Sequence, residues 1–277
     1  MSIAPMLLTL ASRSGSGSGG GEEPPPTDDR LNFYIISGQS NCGRSQVNEM
    51  TGPEAALYPG LISNAFIYNG PYEQLNVGGN TALANNVSAD EFGPEASLFK
   101  SFADADNVDR YIFKYGVGNS GLQSHWVPGQ TLNTNLKTFL DNAIASAVTA
   151  GIKFNLKAFI WMQGENDATD ATWANNYEDN LVNFFDDFTS WWQTRLISNG
   201  WGTFEDFVTI IGRINGISDP LETERATVRA KQAAFCGNGI NNAILIDTDS
   251  YPLRDTVHYS ATGQIQFGID IYNALTI

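Results

Sequence analysis

The sequence contains few of the residues that bind metals or carry thiol chemistry. It has 2 cysteines and 2 histidines among 277 residues, and Cys42 and Cys236 lie far apart, outside any metal-binding spacing. This scarcity argues against zinc and iron–sulfur sites, and we predict no metal site. Cys42 and Cys236 could form one disulfide or remain as free thiols. Their number does not indicate whether the protein works in an oxidising or a reducing compartment.

Positive charge is also scarce. The chain carries 15 Lys and Arg against 30 Asp and Glu, a formal net charge of −15. A surface of this sign repels phosphate backbones and anionic lipid headgroups, which argues against nucleic-acid and peripheral membrane partners. No apolar run reaches the roughly 18 residues that a bilayer span requires, so we expect no membrane span.

The N-terminal part of the chain lacks the composition of a folded domain. Residues 1–12 form a short apolar peptide, and residues 13–30 are rich in Gly, Ser, Pro and acids, which predicts a flexible linker. The peptide has no basic start and contains Pro5, which favours a docking peptide over a signal peptide. One interpretation is an anchor on a larger assembly, with an extracellular, cell-surface or virion-associated location; a frayed tail is the alternative. One domain then occupies residues 31–277.

Within that domain, dense apolar runs alternate with helical patterns. Runs rich in aromatic and β-branched residues predict buried parallel strands at residues 31–38, 108–118, 156–164, 207–214 and 243–248. One-sided apolar spacing predicts helices at residues 94–105, 136–148, 177–192, 222–236 and 262–275. The alternation predicts an α/β fold, a three-layer α/β/α sandwich with a five-stranded parallel sheet. In such sheets ligands bind beyond the carboxyl ends of the strands.

A serine stands directly after the first predicted strand. In FYIISGQSNCGR, residues 33–44, the apolar run stops at Gly38 and Ser40 follows. A serine hydroxyl is a poor nucleophile without a base, and the usual base is histidine. His258 has Asp255 three residues before it, a spacing that lets the carboxylate hold one ring nitrogen while the other faces a serine. An isolated D-x-x-H would indicate only a surface loop, but the strand-end serine favours catalysis.

Acyl transfer also needs hydrogen-bond donors for the oxyanion. Backbone N–H groups at Ser40 and at a glycine are candidates, and a side-chain amide is a third. The stretch WMQGENDA, residues 161–168, offers Gln163 and Asn166 directly after a predicted strand. The same stretch also suits a polar loop that caps the next helix, and the two interpretations are compatible.

Three stretches, in this order, resemble the SGNH hydrolases: SGQSN at 37–41, WMQGEND at 161–167 and DTVH at 255–258. They are most similar to the sialate O-acetylesterase and acetylxylan esterase branch, with motifs G-Q-S-N, W-x-Q-G-E-x-D and D-x-x-H. The resemblance covers nearly all of residues 31–277 and implies the flavodoxin-like fold of that superfamily. It further implies a serine esterase that removes O-acetyl groups from polysaccharide or sialic acid through an acetyl-enzyme, with acetylated carbohydrate as its partner and no cofactor.

The resemblance implies roles for the matching residues. Ser40 corresponds to the nucleophile, His258 to the base and Asp255 to the acid that orients it. Gly118 matches the glycine of the second motif block, whose N–H would join that of Ser40 in the oxyanion hole.

The third motif block leaves two choices open. Gln163 matches the glutamine of the branch, whereas Asn166 matches the G-x-N-D pattern of the wider superfamily, so either amide is a candidate oxyanion donor. Glu165 matches the glutamate of the branch and is expected to orient the site or to replace the acid partner. Gln39 and Asn41 are expected to support the nucleophile.

Two further side chains are candidate substrate contacts. Arg44 could meet a carboxylate on a sugar, although an ion pair within the fold is the simpler interpretation, and Trp126 could stack on a sugar ring or pack in the core. The chain departs from the branch in two places: Cys42 is followed directly by Gly43, which shortens the turn by one residue, and Asn119 replaces a usual glycine.

Two other functions remain as alternatives. A lipase of the α/β-hydrolase type would carry G-x-S-x-G, but Cys42 stands where its second glycine would be. The other alternative is a carbohydrate-binding or structural component of a virion or surface assembly, in which the esterase site is silent.

Overall fold

The computed structural model describes residues 28–83, 90–203, 205–216, 222–239 and 242–277. The predicted docking peptide, residues 1–12, and all but the last three residues of the predicted linker lie outside the described residues. In the ranges that are described, no helix is both long and apolar enough to cross a membrane.

The described chain alternates strands and helices. The strands are β1 Leu31–Gly38, β2 Ser45–Gln46, β3 Gly60–Tyr68, β4 Tyr72–Val77, β5 Glu91–Phe92, β6 Arg110–Gly116, β7 Phe154–Met162, β8 Val208–Gly212 and β9 Ile244–Ile246. The helices are α1 Pro53–Leu57, α2 Glu95–Ala105, α3 Thr131–Thr149, α4 Ala171–Ser198, α5 Glu222–Gly237 and α6 Ala261–Thr276. All five predicted strands and all five predicted helices are therefore present, with ends that shift by a few residues.

The central sheet has seven strands in the order β4-β3-β6-β1-β7-β8-β9. All neighbouring pairs are parallel except β3 with β4, which is antiparallel. The prediction of five strands was wrong in number, because β3 and β4 extend the sheet beyond β6. A separate two-stranded sheet joins β2 and β5.

The two additional strands lack the sequence pattern of the central ones. Every residue of β6 is buried, whereas buried and exposed residues are interspersed along β3 and β4. Asn64 also interrupts β3 with a φ of 54°, where the pairing with β4 changes register. Strands that bury only one face show a weak alternation of apolar and polar residues in place of a dense apolar run.

Helices cover both faces of the sheet, which confirms the three-layer arrangement. Neighbouring residues of a strand point to opposite faces. On β1, Phe33 stacks on Trp192 of α4, while Tyr34 meets Phe99 and Phe102 of α2. The core therefore lies on both sides of β1, and its aromatic rings fix the strand at the centre of the molecule.

The order of the strands brings three loops to one place. The last residue of β1, Gly38, pairs with Gly116 at the end of β6 and with Met162 at the end of β7. The loops that follow these strands begin side by side at the carboxyl edge of the sheet, where parallel α/β folds bind ligands.

Candidate active site

A glycine lets the chain turn sharply at the end of β1. Gly38 has a φ of 138°, and a Cβ at this position would lie 2.0 Å from the Met162 carbonyl oxygen. Only glycine fits this approach of two backbones. The following residues, Ser40–Cys42, form one short turn of 3-10 helix, and the N–H of Gln39 donates to Met162 O at 2.9 Å. The turn fixes Ser40 in a position where its side chain is only 3% exposed.

Ser40, His258 and Asp255 form one hydrogen-bonded line. His258 lies in the loop between β9 and α6, and its Nε2 is 3.0 Å from Ser40 Oγ. Its Nδ1 is 2.8 Å from Asp255 Oδ2. An imidazole held in this way has its Nδ1–H directed at the carboxylate, which leaves Nε2 free to accept the serine proton. The structure therefore brings together the three residues that the sequence predicts as a set.

The Asp255 carboxylate is fixed by its own loop. Its Oδ1 accepts hydrogen bonds from the backbone N–H groups of Val257 at 2.8 Å and His258 at 2.7 Å. Desolvation alone would raise the pKa of Asp255, but these backbone bonds and the His258 ring together lower that pKa to about 2. Asp255 is consequently ionised at neutral pH. Of the two acids that the sequence left open, it is the one in contact with His258.

Ser40 and His258 open into a cavity of about 340 Å³. Its wall consists of Gln39, Ser40, Arg44, Asn119, Glu165, Asn166, Thr169, Arg225, Val257 and His258. The cavity lies at the carboxyl edge of the sheet, where parallel α/β folds bind ligands. In the described ranges no group of His, Cys, Asp and Glu side chains is arranged to hold a metal ion.

Two unpaired backbone N–H groups of the described chain belong to Ser40 itself and to its neighbour Gly118. A Cβ built on Gly118 would lie 3.8 Å from the Cβ of Ser40, so the two residues are close neighbours. Among the described residues neither the N–H of Gly118 nor that of Ser40 has an acceptor. Donors without a partner beside a nucleophile can bind a developing oxyanion.

The two candidate amides occupy different places. Asn166 lines the cavity and donates to Asn119 Oδ1 at 2.9 Å. Gln163 is fully buried, and its Nε2 donates to Ser120 O at 2.9 Å, to Asp167 Oδ2 at 2.6 Å and to Gln39 Oε1 at 3.2 Å. The prediction of Gln163 as an oxyanion donor was wrong for this structure, because its amide faces away from the cavity and its N–H groups are used. Asn166 is the amide that remains.

The site matches a known family. The family model for carbohydrate esterases described as sialic acid-specific acetylesterases matches residues 30–276. The chain belongs to this family. It is therefore a carbohydrate esterase, a class of carboxylic ester hydrolase. Comparison with curated proteins finds no significant match in sequence.

Solved structures share the fold across nearly the whole domain. A protein from Arabidopsis thaliana is 17% identical with a TM-score of 0.69, over 89% of this chain and 98% of that chain. NanS is 14% identical with a TM-score of 0.56, over 90% of this chain and 98% of that chain. A carbohydrate acetylesterase from Xanthomonas citri is 16% identical with a TM-score of 0.54, over 87% of this chain and 55% of that chain. At these identities the likeness shows the fold alone.

The supporting residues predicted from the family's motifs connect the loops. Gln39 Oε1 accepts from the N–H groups of Gly164 at 3.4 Å and Asn166 at 3.3 Å, which joins the nucleophile turn to the loop after β7. Asn41 donates to Glu165 Oε1 at 2.5 Å. Burial raises the pKa of the Glu165 carboxyl, although the bond from Asn41 opposes this shift.

The two candidate substrate contacts have different outcomes. Arg44 lines the cavity with its side chain 44% exposed, and its Nε lies 3.8 Å from Glu91 Oε1. Trp126 is fully buried, and its Nε1–H donates to Ser120 Oγ at 2.9 Å. Stacking of Trp126 on a sugar was therefore a wrong prediction, because neither face of the ring reaches solvent.

Arg225 is a charged cavity residue that the sequence analysis missed, along with Thr169 and Val257. It lies on α5 at 6% exposure and donates from Nη1 to Asn215 O at 3.2 Å. A signal was present in the sequence, because Arg225 falls on the buried stripe of α5 with Val228, Gln232 and Phe235. An arginine at a core position of an amphipathic helix is unusual and indicates a specific role.

Proposed function

We propose that this carbohydrate esterase removes O-acetyl groups by a serine mechanism, with Ser40 as nucleophile, His258 as base and Asp255 as its acid partner. The observation that carries the proposal is the continuous line of two hydrogen bonds, 3.0 Å and 2.8 Å long, that ends in the cavity. Nothing in the described part of the chain favours a silent site, because the hydroxyl, the imidazole and the carboxylate are all in contact.

The reaction proceeds in two steps that both use His258. Ser40 Oγ attacks the acetyl carbonyl carbon while its proton passes to His258 Nε2, and the imidazolium then protonates the departing sugar oxygen. A water then attacks the acetyl-enzyme while its proton passes to the same Nε2. The imidazolium returns that proton to Ser40 Oγ as the acyl C–O bond breaks and acetate leaves. Asp255 remains ionised throughout and stabilises the imidazolium, consistent with its lowered pKa.

Three donors are proposed to bind the negative charge that forms on the carbonyl oxygen. They are the backbone N–H groups of Ser40 and Gly118 and the side-chain amide of Asn166. The support is their position: Gly118 adjoins Ser40, and Asn166 lines the same cavity. Each such donor typically contributes roughly 10²–10³ in rate.

The charge of the cavity suggests the kind of sugar. Arg44 and Arg225 both line the cavity, against one acid, Glu165, although the whole chain has a net charge of −15. Two cations at the site of an acidic protein favour a substrate that is itself anionic. We therefore propose an acetylated acidic sugar, such as an O-acetylated sialic acid, as the preferred substrate over neutral acetylated xylan.

Acetate release tests both parts of the proposal. We expect activity on 4-nitrophenyl acetate that Ser40→Ala and His258→Ala abolish, and that Asp255→Asn lowers by about 10⁴-fold because the imidazole loses its fixed tautomer. His125→Gln replaces the other histidine, which does not line the cavity, and should leave kcat/KM nearly unchanged. Wild-type activity that persists in Ser40→Ala would disprove the serine mechanism.

The substrate part has its own comparison. O-acetylated sialic acid should have a higher kcat/KM than acetylated xylan, and Arg44→Gln should lower the former by about ten-fold through the loss of one charged hydrogen bond. A neutral substrate should respond much less. Equal effects of Arg44→Gln on both substrates would favour a neutral sugar and a structural role for Arg44.

A further inference from the structure

The side chain of Asn41 contacts the backbone on both sides of His258. Its Nδ2 donates to Val257 O at 3.0 Å, and its Oδ1 accepts from the N–H of Tyr259 at 3.2 Å. Asn41 is 1% exposed, so these bonds are shielded from water. One amide group thus binds the residue before His258 and the residue after it.

The orientation of this amide is fixed by its partners. The second Nδ2 hydrogen points to Glu165 Oε1 at 2.5 Å. The main-chain carbonyl of Asn41 separately accepts from Gln264 Nε2 of α6 at 2.8 Å, which holds the backbone of the turn. Val257 O can only accept and Tyr259 N–H can only donate. A rotated amide would place its oxygen against two acceptors, so Asn41 has one permitted orientation. Glu165, 7% exposed, thus holds the amide together with Val257 O.

The position of Asn41 in the chain gives these contacts a particular importance. Asp255 orients the ring of His258, but it belongs to the same loop and moves with it. Asn41 immediately follows Ser40 in the 3-10 turn. It therefore connects the turn of Ser40 to the loop of His258: its backbone adjoins Ser40, and its side chain binds the residues before and after His258.

We propose that Asn41 is a positioning residue that sets the separation between Ser40 Oγ and His258 Nε2, with Glu165 as its anchor. This inference rests on the proposed serine mechanism. A misplacement of reacting groups by about 1 Å costs roughly 10²-fold in rate. Because both acylation and deacylation use His258, both steps slow together. The ratio of their rate constants, on which KM depends, therefore stays nearly constant.

Two variants and a matched control test the proposal kinetically. Asn41→Ala removes all the side-chain bonds, and Asn41→Asp keeps an acceptor for Tyr259 but loses the donor to Val257 and Glu165. We expect kcat on 4-nitrophenyl acetate to fall about 10²-fold in both, with KM changed by less than about three-fold. Asn155→Ala is the control, since Asn155 is also buried and also donates to a glutamate, Glu205, at 2.9 Å, at the opposite end of the sheet. It should retain kcat.

Histidine NMR separates positioning from a merely structural effect. The chain has 2 histidines, so ¹⁵N-histidine labelling gives one signal set for His258 and one for His125 as an internal reference. In Asn41→Ala the His258 Nε2 signal should shift, because its hydrogen bond to Ser40 Oγ is lengthened, while the Nδ1–H signal held by Asp255 and the signals of His125 stay unchanged. Unchanged kcat and unchanged His258 signals in both variants would overturn the proposal. Equal shifts in both histidines would overturn it too, as they would indicate a general loss of structure. An inactive wild type would refute the serine mechanism, yet the NMR comparison would still test whether Asn41 positions His258.

Discussion

Beneath the nucleophile turn lies a buried ion pair whose disruption should destabilise the protein strongly. Lys114 Nζ on β6 is 2.7 Å from Glu95 Oε1 at the start of α2, and the two side chains are 1% and 0% exposed. Lys114 also donates to Thr81 O at 2.6 Å, and Gly93 N–H donates to the same Glu95 oxygen at 2.8 Å. The pair touches the turn directly, since a Cβ on Gly43 would lie 2.4 Å from the Lys114 Nζ.

Lys114→Met tests the contribution of this pair. The substitution keeps the apolar stem but leaves Glu95 buried without its cation, and Glu95 Oε2 already has no hydrogen-bond partner in the described chain. Removal of one member of a buried pair costs about 3–5 kcal/mol. In a domain of this size each kcal/mol lowers Tm by about 2–4 °C, so Tm should fall by roughly 6–20 °C.

Urea unfolding followed by tryptophan fluorescence gives the free energy of unfolding. Lys100→Met is the matched control, because Lys100 forms a surface pair with Asp104 at 2.6 Å with the side chains 31% and 65% exposed; it should lose no more than about 1 kcal/mol. Adding Glu95→Gln to Lys114→Met should recover at least about 2 kcal/mol, since the unpaired charge is gone. A Lys114→Met loss equal to that of Lys100→Met would refute the reasoning.

Two further predictions concern the turn and the acid partner. Gly38→Ala should abolish esterase activity, because the new Cβ meets Met162 O. It should also destabilise the fold by more than backbone strain alone, which costs about 1–3 kcal/mol. Gly129→Ala is the control: it is also at positive φ but has no atom within 4 Å of the new Cβ, so it should cost only the strain. Asp255 has its pKa lowered from 3.8 to about 2, so its stabilising contribution is complete above about pH 4 and disappears as pH falls to about 2. The difference in urea midpoint between wild type and Asp255→Asn should therefore vanish over that interval, and a constant difference would contradict the assigned hydrogen bonds.

The central fold and the proposed triad could be predicted because both leave local signals in the sequence. Dense apolar runs identify strands that are buried on both faces, and Ser40, Asp255 and His258 occupy short motifs whose chemistry is specific. The outer strands β3 and β4 were missed because their apolar patterns are weak. A motif also does not say which way a side chain points: Gln163 and Trp126 lie in the expected stretches, but both are turned into the interior.

The contacts that hold the reactive groups could not be predicted, because they join distant parts of the chain. Asn41 meets Val257 across 216 positions and Glu165 across 124. The spacing of apolar residues in a sequence does not indicate such a long-range contact. The loops after β1 and β7 meet only because β1 and β7 are neighbours in the sheet. Arg225 is the exception. Its position on the buried face of α5 could be predicted from the helical spacing, but its place on the cavity wall could not.

The shortened turn after Asn41 shows how the surroundings accommodate a departure from the family pattern. Cys42 is fully buried, its thiol has a pKa raised to about 12 by desolvation, and both cysteines are free. A Cβ on Gly116 would lie 2.3 Å from Cys42 Sγ, and one on Gly93 would lie 2.6 Å from Cys42 O. These glycines leave just enough room for a tight turn with a small side chain, so Cys42 acts as packing rather than as a second nucleophile. The ion pair of Lys114 and Glu95 packs against this turn, and Asn41 links the turn to the loop of His258. The position of Ser40 therefore depends on buried neighbours that have no role in the proposed reaction.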